Sequence, residues 1–363
     1  MVLKKAARKN PFRPVAAMAA VMACLSLSGC YLMQAARGQL QVMNKREPVD
    51  KVIASADTSD TLKQQLVRAR RIRDFASREL GLPDNAAYRN YADIGRPYVV
   101  WNVVATPEFS VHPRTWCFPI AGCVAYKGYF SEQDARAFAA KLKEQGDDVV
   151  MGGVTAYSTL GRIADPLLNT FTGYPEIDLA ALIFHELAHQ VAYLPGDSSF
   201  NEAFATAVEE AGVARYAAQL EDPDALPRWQ QRRRLRVEVT SLVSAARADL
   251  AKVYRQPLSE AAMREAKQQR LSGLATQIRA VEQRTGRTSG FDSYIKEGLN
   301  NAHLASVATY YDQVPYFEAL LRDRCGGYLP CLYALAKEEI ATRQAAERAR
   351  MPRRPVGPRS AQF

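Results

Sequence analysis

The sequence predicts an α+β fold that is predominantly helical, with a small sheet and a long helical hairpin. Apolar residues recur at helical spacing in several segments, above all in the charged stretch 227–284, whereas residues 97–105 are rich in Val, Tyr and Trp, which favour strands. The 363 residues are 48% hydrophobic and 24% charged, which is ordinary for a globular protein. This composition excludes a collagen-like chain and wholesale disorder, and the single long apolar run excludes a polytopic membrane protein.

The net charge of +10 is confined to the two ends of the chain. Residues 1–29 contain five cationic side chains and no acid, and residues 343–363 contain six arginines and one glutamate. Residues 30–342 are therefore neutral, and a basic face that would bind nucleic acid is not predicted. We expect residues 30–342 to fold as a single domain and the segment 343–363 to be a disordered basic tail.

The N-terminus has the features of an export signal. Five cations precede the apolar stretch Val15–Leu27, and two small residues come directly before Cys30. This pattern resembles the lipobox of bacterial lipoproteins. The resemblance implies that the signal peptide 1–29 is removed and that acyl chains on Cys30 anchor the protein to a membrane of the bacterial envelope. Tyr31, and not Asp, follows Cys30. The resemblance to sorted lipoproteins therefore implies the periplasmic face of the outer membrane. An ordinary signal peptide with an incidental cysteine is the alternative.

Four cysteines remain beyond Cys30. Cys117 and Cys123 are six residues apart, and so are Cys325 and Cys331. An even number of cysteines in an oxidising compartment predicts two local disulfides. A four-thiolate zinc site is the alternative, although zinc knuckles place the cysteines of each pair closer together.

The first half of the chain combines helices with the predicted sheet region, residues 96–160. Apolar spacing predicts a helix over residues 61–80. Residues 131–144 have the pattern of a second helix, with Ser131 as its N-cap. The β-branched segment 148–159 is a strand candidate within the sheet region.

The second half is predicted to be helical almost throughout. Two helices are expected at 175–193 and 199–220, and the first has Pro175 as its start signal. The stretch 227–284 is predicted to be an antiparallel hairpin that is broken near Gln256-Pro257, and residues 291–340 to form C-terminal helices.

One motif indicates metal chemistry, the segment His185-Glu186-Leu187-Ala188-His189. Residues four apart in a helix point in the same direction, so His185 and His189 can bind one metal ion. Glu186 lies beside them, where a carboxylate can take a proton from a metal-bound water. The chain has only four histidines, which makes a chance match improbable. A structural histidine pair is the alternative.

A catalytic zinc ion needs a third protein ligand besides water. A third histidine six residues after His189, as in metzincins, is excluded because Pro195 stands there. Glu202 opens the next predicted helix, and a chain reversal between the two helices would bring its carboxylate to the metal. Alternatively, Ser199 and Glu202 form a capping box at the helix start. Glu209, two turns further on, is the other candidate for a ligand or for a group that orients one.

The histidine motif followed by Asn201-Glu202-Ala203-Phe204-Ala205 resembles zinc aminopeptidases of the gluzincin type. Their third ligand is a glutamate from an Asn-Glu-x-x-Ala segment on the next helix. The resemblance implies a thermolysin-like metallopeptidase core with one Zn²⁺ per chain, held by His185, His189 and Glu202. Twelve residues separate His189 from Glu202, which is fewer than in the familiar gluzincins.

A second resemblance covers most of residues 31–335. It is to a family of bacterial envelope proteins predicted to be aminopeptidases, and the following segments carry it: Trp116–Cys123, Tyr157–Gly161 with Asp165-Pro166, Ile183–Gln190, Phe200–Gly212, and Asn300-Asn301-Ala302 with Val314-Pro315. The resemblance implies a zinc-dependent aminopeptidase whose substrates are peptides.

Peptide hydrolysis also needs a hydrogen-bond donor to the tetrahedral oxyanion. The candidates are Tyr157, His303, Tyr310 and Tyr311. The strand that ends near Tyr157–Gly161 is expected to bind the peptide as a neighbouring strand. The α-ammonium of an aminopeptidase substrate needs a carboxylate, for which the candidates are Asp165, Glu176 and Glu209.

Two other functions stay open from the sequence. One is a zinc endopeptidase. The other is a non-catalytic envelope lipoprotein, in which the hairpin 227–284 binds a partner and the metal site is structural. Glu186 argues against this second possibility, because a structural site has no use for an unligated carboxylate and closes instead with a fourth ligand. Nothing in the sequence specifies an oligomeric state.

Overall fold

A computed structural model describes residues 31–118, 122–307 and 313–350. Most of these residues are helical and the strands are short, which confirms the helical α+β class. The helices are α1 (residues 31–44), α2 (Val49–Ala54), α3 (Asp60–Arg78), α4 (Glu132–Glu144), α5 (Glu176–Val191), α6 (Ser198–Ala217), α7 (Ala225–Val253), α8 (Glu260–Thr285), α9 (Asp292–Glu297), α10 (Asn301–Val307), α11 (Val314–Ala319) and α12 (Leu329–Arg350). The strands are β1 (Glu47–Pro48), β2 (Asn90–Ala92), β3 (Val100–Pro107), β4 (Trp116–Phe118), β5 (Gly122–Val124), β6 (Lys127–Tyr129), β7 (Asp147–Val154) and β8 (Leu167–Leu168). Among these helices, none is long and apolar enough to cross a membrane. The predicted signal peptide and Cys30 lie outside the described residues.

Within the described residues the strands form three small sheets. β3 lies between β6 and β7 and is antiparallel to both, with Trp101 opposite Tyr129 and Val103 opposite Met151. This sheet occupies the predicted region 96–160. β4 and β5 form a hairpin, whereas β2 pairs antiparallel with β1 and parallel with β8. The sequence did not predict the sheet of β1, β2 and β8, because its very short strands come from distant segments.

The central strand β3 and helix α4 follow the predicted pattern. Alternate residues of β3, including Trp101 and Val103, are buried against the apolar face of α4. Ser131 caps α4 as predicted, since its hydroxyl accepts a hydrogen bond from the Asp134 backbone N–H at 3.2 Å. The strand predicted for residues 148–159 instead ends at Val154. Beyond it the chain turns, and Leu160 takes the left-handed conformation with φ 57°, which a strand cannot accommodate.

The main core packs α5 against α6, with α3 and α11 beside them. Phe184 of α5 and Phe204 of α6 are fully buried in it. A Cβ atom on Gly212 would lie 2.8 Å from side-chain carbons of Leu80 and Phe184. Glycine at this position therefore lets α6 approach α5 and the end of α3 closely.

The predicted hairpin 227–284 is formed by α7 and α8, and the break falls between Val253 and Glu260, as predicted. Leu235, Val239 and Val243 of α7 pack on the apolar face of α8 in a second core cluster. Helix α10 packs on α7 and β3, so the inner face of the hairpin is covered by this chain.

The C-terminal region is helical, as predicted, but its last helix extends further than expected. Helix α12 runs to Arg350, so the prediction of a disordered tail is wrong for residues 343–350. Arg343 explains part of this extension, because it forms ion pairs with Asp197, at 3.0 Å, and with Glu339, and its guanidinium lies over the Phe200 ring. Residues 351–363 lie outside the described residues.

Both predicted cysteine pairs are joined as disulfides. Cys117 is bonded to Cys123 across the β4–β5 hairpin. Cys325, which directly follows the helical segment Leu320–Arg324, is bonded to Cys331 in the first turn of α12. The four-thiolate zinc site is therefore wrong for this structure.

Replacing Cys325 and Cys331 together by Ala is expected to lower the free energy of unfolding by about 2 kcal/mol, because each disulfide closes only a short loop and so restricts the unfolded chain modestly. Urea denaturation of the oxidised protein and the variant measures this difference. A non-reducing peptide map of the parent protein provides the control, and four free thiols in it would contradict both disulfides.

Candidate metal centre

Helix α5 presents its two histidines on one face. It begins after Pro175, which supplies the N-cap, and His185 and His189 follow four residues apart. Their Nε2 atoms lie 3.2 Å from each other. His189 is buried and His185 is half-buried, so neither ring lies in bulk water.

The chain reverses between α5 and α6, and Asn201 fixes this turn. Its side-chain oxygen accepts a hydrogen bond from the Leu194 backbone N–H at 2.7 Å, and its amide nitrogen donates to the Leu194 carbonyl at 2.9 Å. Asp197 caps α6 by accepting a hydrogen bond from the Phe200 backbone N–H. Because the N-cap is Asp197, the capping box of Ser199 and Glu202 is wrong.

Glu202 extends from the first turn of α6 towards the two histidines. One of its oxygens lies 3.3 Å from His185 Nε2, and the other lies 3.7 Å from His189 Nε2. The ligand atoms of the three side chains all lie within 4.8 Å of one another. Donors about 2.0–2.1 Å from a tetrahedral zinc ion are roughly 3.3 Å apart, so the spacing and the donor types fit Zn²⁺.

Glu209 lies behind His185 and not beside the two Nε2 atoms. Its Oε2 is 3.0 Å from His185 Nδ1. A carboxylate in this position fixes the ring orientation and keeps the Nδ1 proton, which leaves the Nε2 lone pair facing Glu202 and His189. The geometry therefore indicates that Glu209 orients the His185 ring.

Charge interactions within the cluster shift several pKa values. Burial tends to lower the pKa of His185, but the carboxylates of Glu202 and Glu209 outweigh it and raise that pKa well above its ordinary value. Burial and the neighbouring His185 lower the pKa of His189 to about 4. Burial would raise the pKa of Glu202, but the hydrogen bond to His185 dominates and lowers it.

Glu186 follows His185 and shares its cavity. Burial raises the pKa of this carboxyl to about 7, and the nearby carboxylate of Glu202 adds to the effect. Since Glu186 does not belong to the group of three ligand atoms, it is available for proton transfer.

The three-residue cluster opens into a cavity of about 610 Å³ between α5, α6 and α7. Its lining residues are Thr155, Tyr174, Pro175, Asp178, Ala181, Leu182, His185, Glu186, Glu202, Thr206, Glu209, Trp229, Arg232, Arg233 and Arg236. Thr155 directly follows β7, an outer strand of its sheet. His185, Glu202 of the next helix and the carboxyl of Glu186 thus line one open cavity, and His189 lies beside them with its Nε2 3.2 Å from that of His185.

Comparison with protein families agrees with this arrangement. The family model described as "Putative aminopeptidase" matches residues 30–351. The chain belongs to this family. Membership supports peptidase activity and confirms the resemblance to a family predicted to be aminopeptidases. No curated protein and no solved structure matches the chain.

Two of the predicted oxyanion donors, Tyr157 and His303, do not line the cavity. The Tyr157 hydroxyl donates a hydrogen bond to the Gln39 side chain. His303 is buried near the second core cluster, with its Nδ1 2.8 Å from the Asn300 side-chain oxygen and its ring against Tyr294. Tyr310 and Tyr311 lie outside the described residues.

The candidate carboxylates for an α-ammonium are also engaged elsewhere. Asp165 is buried and accepts hydrogen bonds from the backbone and hydroxyl of Thr159. Glu176 pairs with Arg71 and accepts a hydrogen bond from the Tyr216 hydroxyl. Glu209, by contrast, lines the cavity, where it contacts His185.

Sequence reasoning missed two groups of residues near the cluster. The Tyr193 ring lies 6.4 Å from the His189 ring, a contact that the spacing of four residues could have suggested. Burial and the charges of Tyr193 and Glu202 raise the pKa of Tyr126, so its phenol is electrostatically coupled to the cluster. Tyr126 and the α7 arginines are far from the motif in sequence, so no local pattern could have found them.

Asn201→Ala is expected to lower the free energy of unfolding by roughly 2–4 kcal/mol, because both backbone groups of the buried Leu194 lose their partner. Urea denaturation measures this change. Gln219→Ala, at the exposed end of α6, is the control and should change stability by less than about 0.5 kcal/mol. Equal stability of the two variants would show that Asn201 does not hold the turn.

Proposed function

We propose that the protein is a zinc-dependent peptidase that acts as an aminopeptidase, with His185, His189 and Glu202 as the zinc ligands. The observation that carries this proposal is the meeting of these three donors from two successive helices at the edge of an open cavity, which His185, Glu202 and Glu186 line. A histidine pair on one helix and a glutamate from the next are the gluzincin arrangement. We therefore propose a gluzincin-like, thermolysin-related core built on α5 and α6.

The residues of the cavity divide the chemistry between them. Zinc, when bound, would polarise the scissile carbonyl and lower the pKa of a coordinated water. Glu186 takes the proton of the attacking water and then delivers it to the leaving amine. Glu209 holds the His185 ring through Nδ1 throughout. The peptide extends along the outer edge of β7, towards Thr155, as an added strand.

A structural metal site fits the cavity less well. Structural zinc sites are closed by four protein ligands, whereas the described part of the chain supplies three ligand atoms here. His185 and Glu202 also line a cavity large enough for several peptide residues. An open fourth position next to a free carboxyl is what hydrolysis requires.

We also propose that the protein is a lipoprotein of the bacterial envelope, anchored through Cys30 at the periplasmic face of the outer membrane. Support comes from the position of Tyr31, the residue after Cys30, which packs on the sheet. The Tyr31 hydroxyl donates a hydrogen bond to the Gly128 carbonyl at 2.9 Å, and the ring packs edge-on against Tyr129. Acyl chains on Cys30 would thus hold the folded protein directly at the membrane surface.

Two substitutions separate the roles within the site. Glu186→Gln should retain near-stoichiometric zinc but lower turnover at least about a hundredfold, because the proton acceptor is lost. Glu202→Gln should instead weaken zinc binding, because a neutral amide replaces an anionic ligand. Metal analysis and peptide hydrolysis, measured on both variants, test this distinction. The control is Glu221→Gln, which is exposed beyond α6. Full zinc and full activity in Glu202→Gln would exclude Glu202 as the third ligand.

Mass spectrometry of the products decides between the two kinds of peptidase. Stepwise loss of residues from the peptide N-terminus supports an aminopeptidase. Internal fragments would instead identify an endopeptidase with the same zinc site.

Cys30→Ser should release the protein from membranes, because the residue that would carry the acyl chains is gone. Fractionation of cells that produce the parent and the variant measures the change. If the variant still requires detergent for extraction, lipidation at Cys30 is not the anchor.

A further inference from the structure

One wall of the cavity is basic, although the protein between its two ends is neutral. Helix α7 lines the cavity with Trp229 and, over the next two turns, with Arg232, Arg233 and Arg236. This wall stands opposite the metal-binding face of α5 and α6. The three arginines differ in what they contact.

Two of the arginines are neutralised by carboxylates. Arg232 donates hydrogen bonds to both oxygens of Asp178, at 2.7 and 2.8 Å. Arg233 forms an ion pair with Glu210 of α6. These contacts attach α7 to the two helices of the metal site and fix the wall in place.

Arg236 is different. It lines the cavity and is exposed, and no hydrogen bond or ion pair joins it to any residue in the described ranges. Three of the four acidic residues that line the cavity are already engaged, because Asp178 binds Arg232 and both Glu202 and Glu209 contact His185, and the fourth, Glu186, forms no ion pair with Arg236. The wall therefore offers one uncompensated guanidinium to whatever enters.

The distance to the metal-binding position suits a short peptide. Asp178 binds Arg232, which lies one turn before Arg236 on α7. Asp178 is seven residues before His185 on α5, which is about 10 Å along the helix. An extended peptide covers about 3.3–3.6 Å per residue, so about three residues span this length. The guanidinium of Arg236, one turn beyond Arg232 on α7, can bind a carboxylate with two parallel hydrogen bonds.

We propose that Arg236 binds a carboxylate of the peptide substrate, so that the site favours short peptides with a free C-terminus or an acidic side chain near the scissile bond. This inference rests on the proposed peptidase function. It adds a substrate class to the zinc site and gives the basic wall of α7 a role in substrate binding.

The test measures peptide binding without turnover. The zinc-loaded full chain with Glu186→Gln is titrated calorimetrically with alanine tetrapeptides that end in a free carboxylate or in an amide. A second pair of amidated peptides carries Asp or Asn at the third position, which separates a side-chain carboxylate from a terminal one. The same titrations are repeated after adding Arg236→Gln, Arg236→Lys or Arg234→Gln. Arg234 is the matched control, because it is exposed on α7 and does not line this cavity.

In the parent, the carboxylate member of at least one pair should bind about tenfold more tightly than its neutral partner. Arg236→Gln should abolish this preference, Arg236→Lys should retain part of it because the charge stays without the planar fork, and Arg234→Gln should preserve it. A parent with no preference, or one that binds none of the peptides, overturns the proposal, as does a preference that survives Arg236→Gln. The two proposals can also fail separately. If the binding preference depends on Arg236 but the protein that retains Glu186 hydrolyses no peptide, the peptidase function is refuted and the carboxylate site stands.

Discussion

The packing of α5 against α6 is the constraint on which the site depends. The two helices are close because small residues, with Gly212 against Phe184, lie where the backbones meet. The turn that joins them is held by one buried side chain, Asn201, through both backbone groups of Leu194. Only with this short, fixed reversal can Glu202, in the first turn of α6, reach the histidines of α5. The twelve residues between His189 and Glu202 are therefore sufficient.

The same packing brings together charges that would be costly to bury singly. Glu202 and Glu209 contact opposite nitrogens of His185, and together they outweigh the burial that would otherwise lower its pKa. Carboxylates and an imidazole compensate one another only while their geometry is held, and the loss of one partner leaves the others desolvated. The core around Phe184 and Phe204 supplies that rigidity. Stability of the core and competence of the site are thus linked through the same two helices.

Local patterns in the sequence predicted much of this structure. The histidine pair, the cap at Ser131, both disulfide pairs and the break near Pro257 depend on residues close together in the chain, and all are found where expected. Features that depend on distant contacts were missed. The parallel pairing of β2 with β8 is one, and the electrostatic coupling of Tyr126 to Glu202 is another. The Ser199 cap failed for a subtler reason, since Asp197 competes for the same helix end two residues earlier.

The hairpin also argues for an enzyme rather than a partner-binding lipoprotein. The second half of α7 packs on α8 and is covered further by α10, so the apolar face that a partner helix would need is already occupied. The first half of α7 instead lines the cavity, where Arg232 attaches it to α5 and Arg233 attaches it to α6. A module built for an external partner would have no reason to form a wall of the metal cleft. The long hairpin is better understood as part of the site, because its own core and the ion pairs of Arg232 and Arg233 fix α7 as a wall of the cavity.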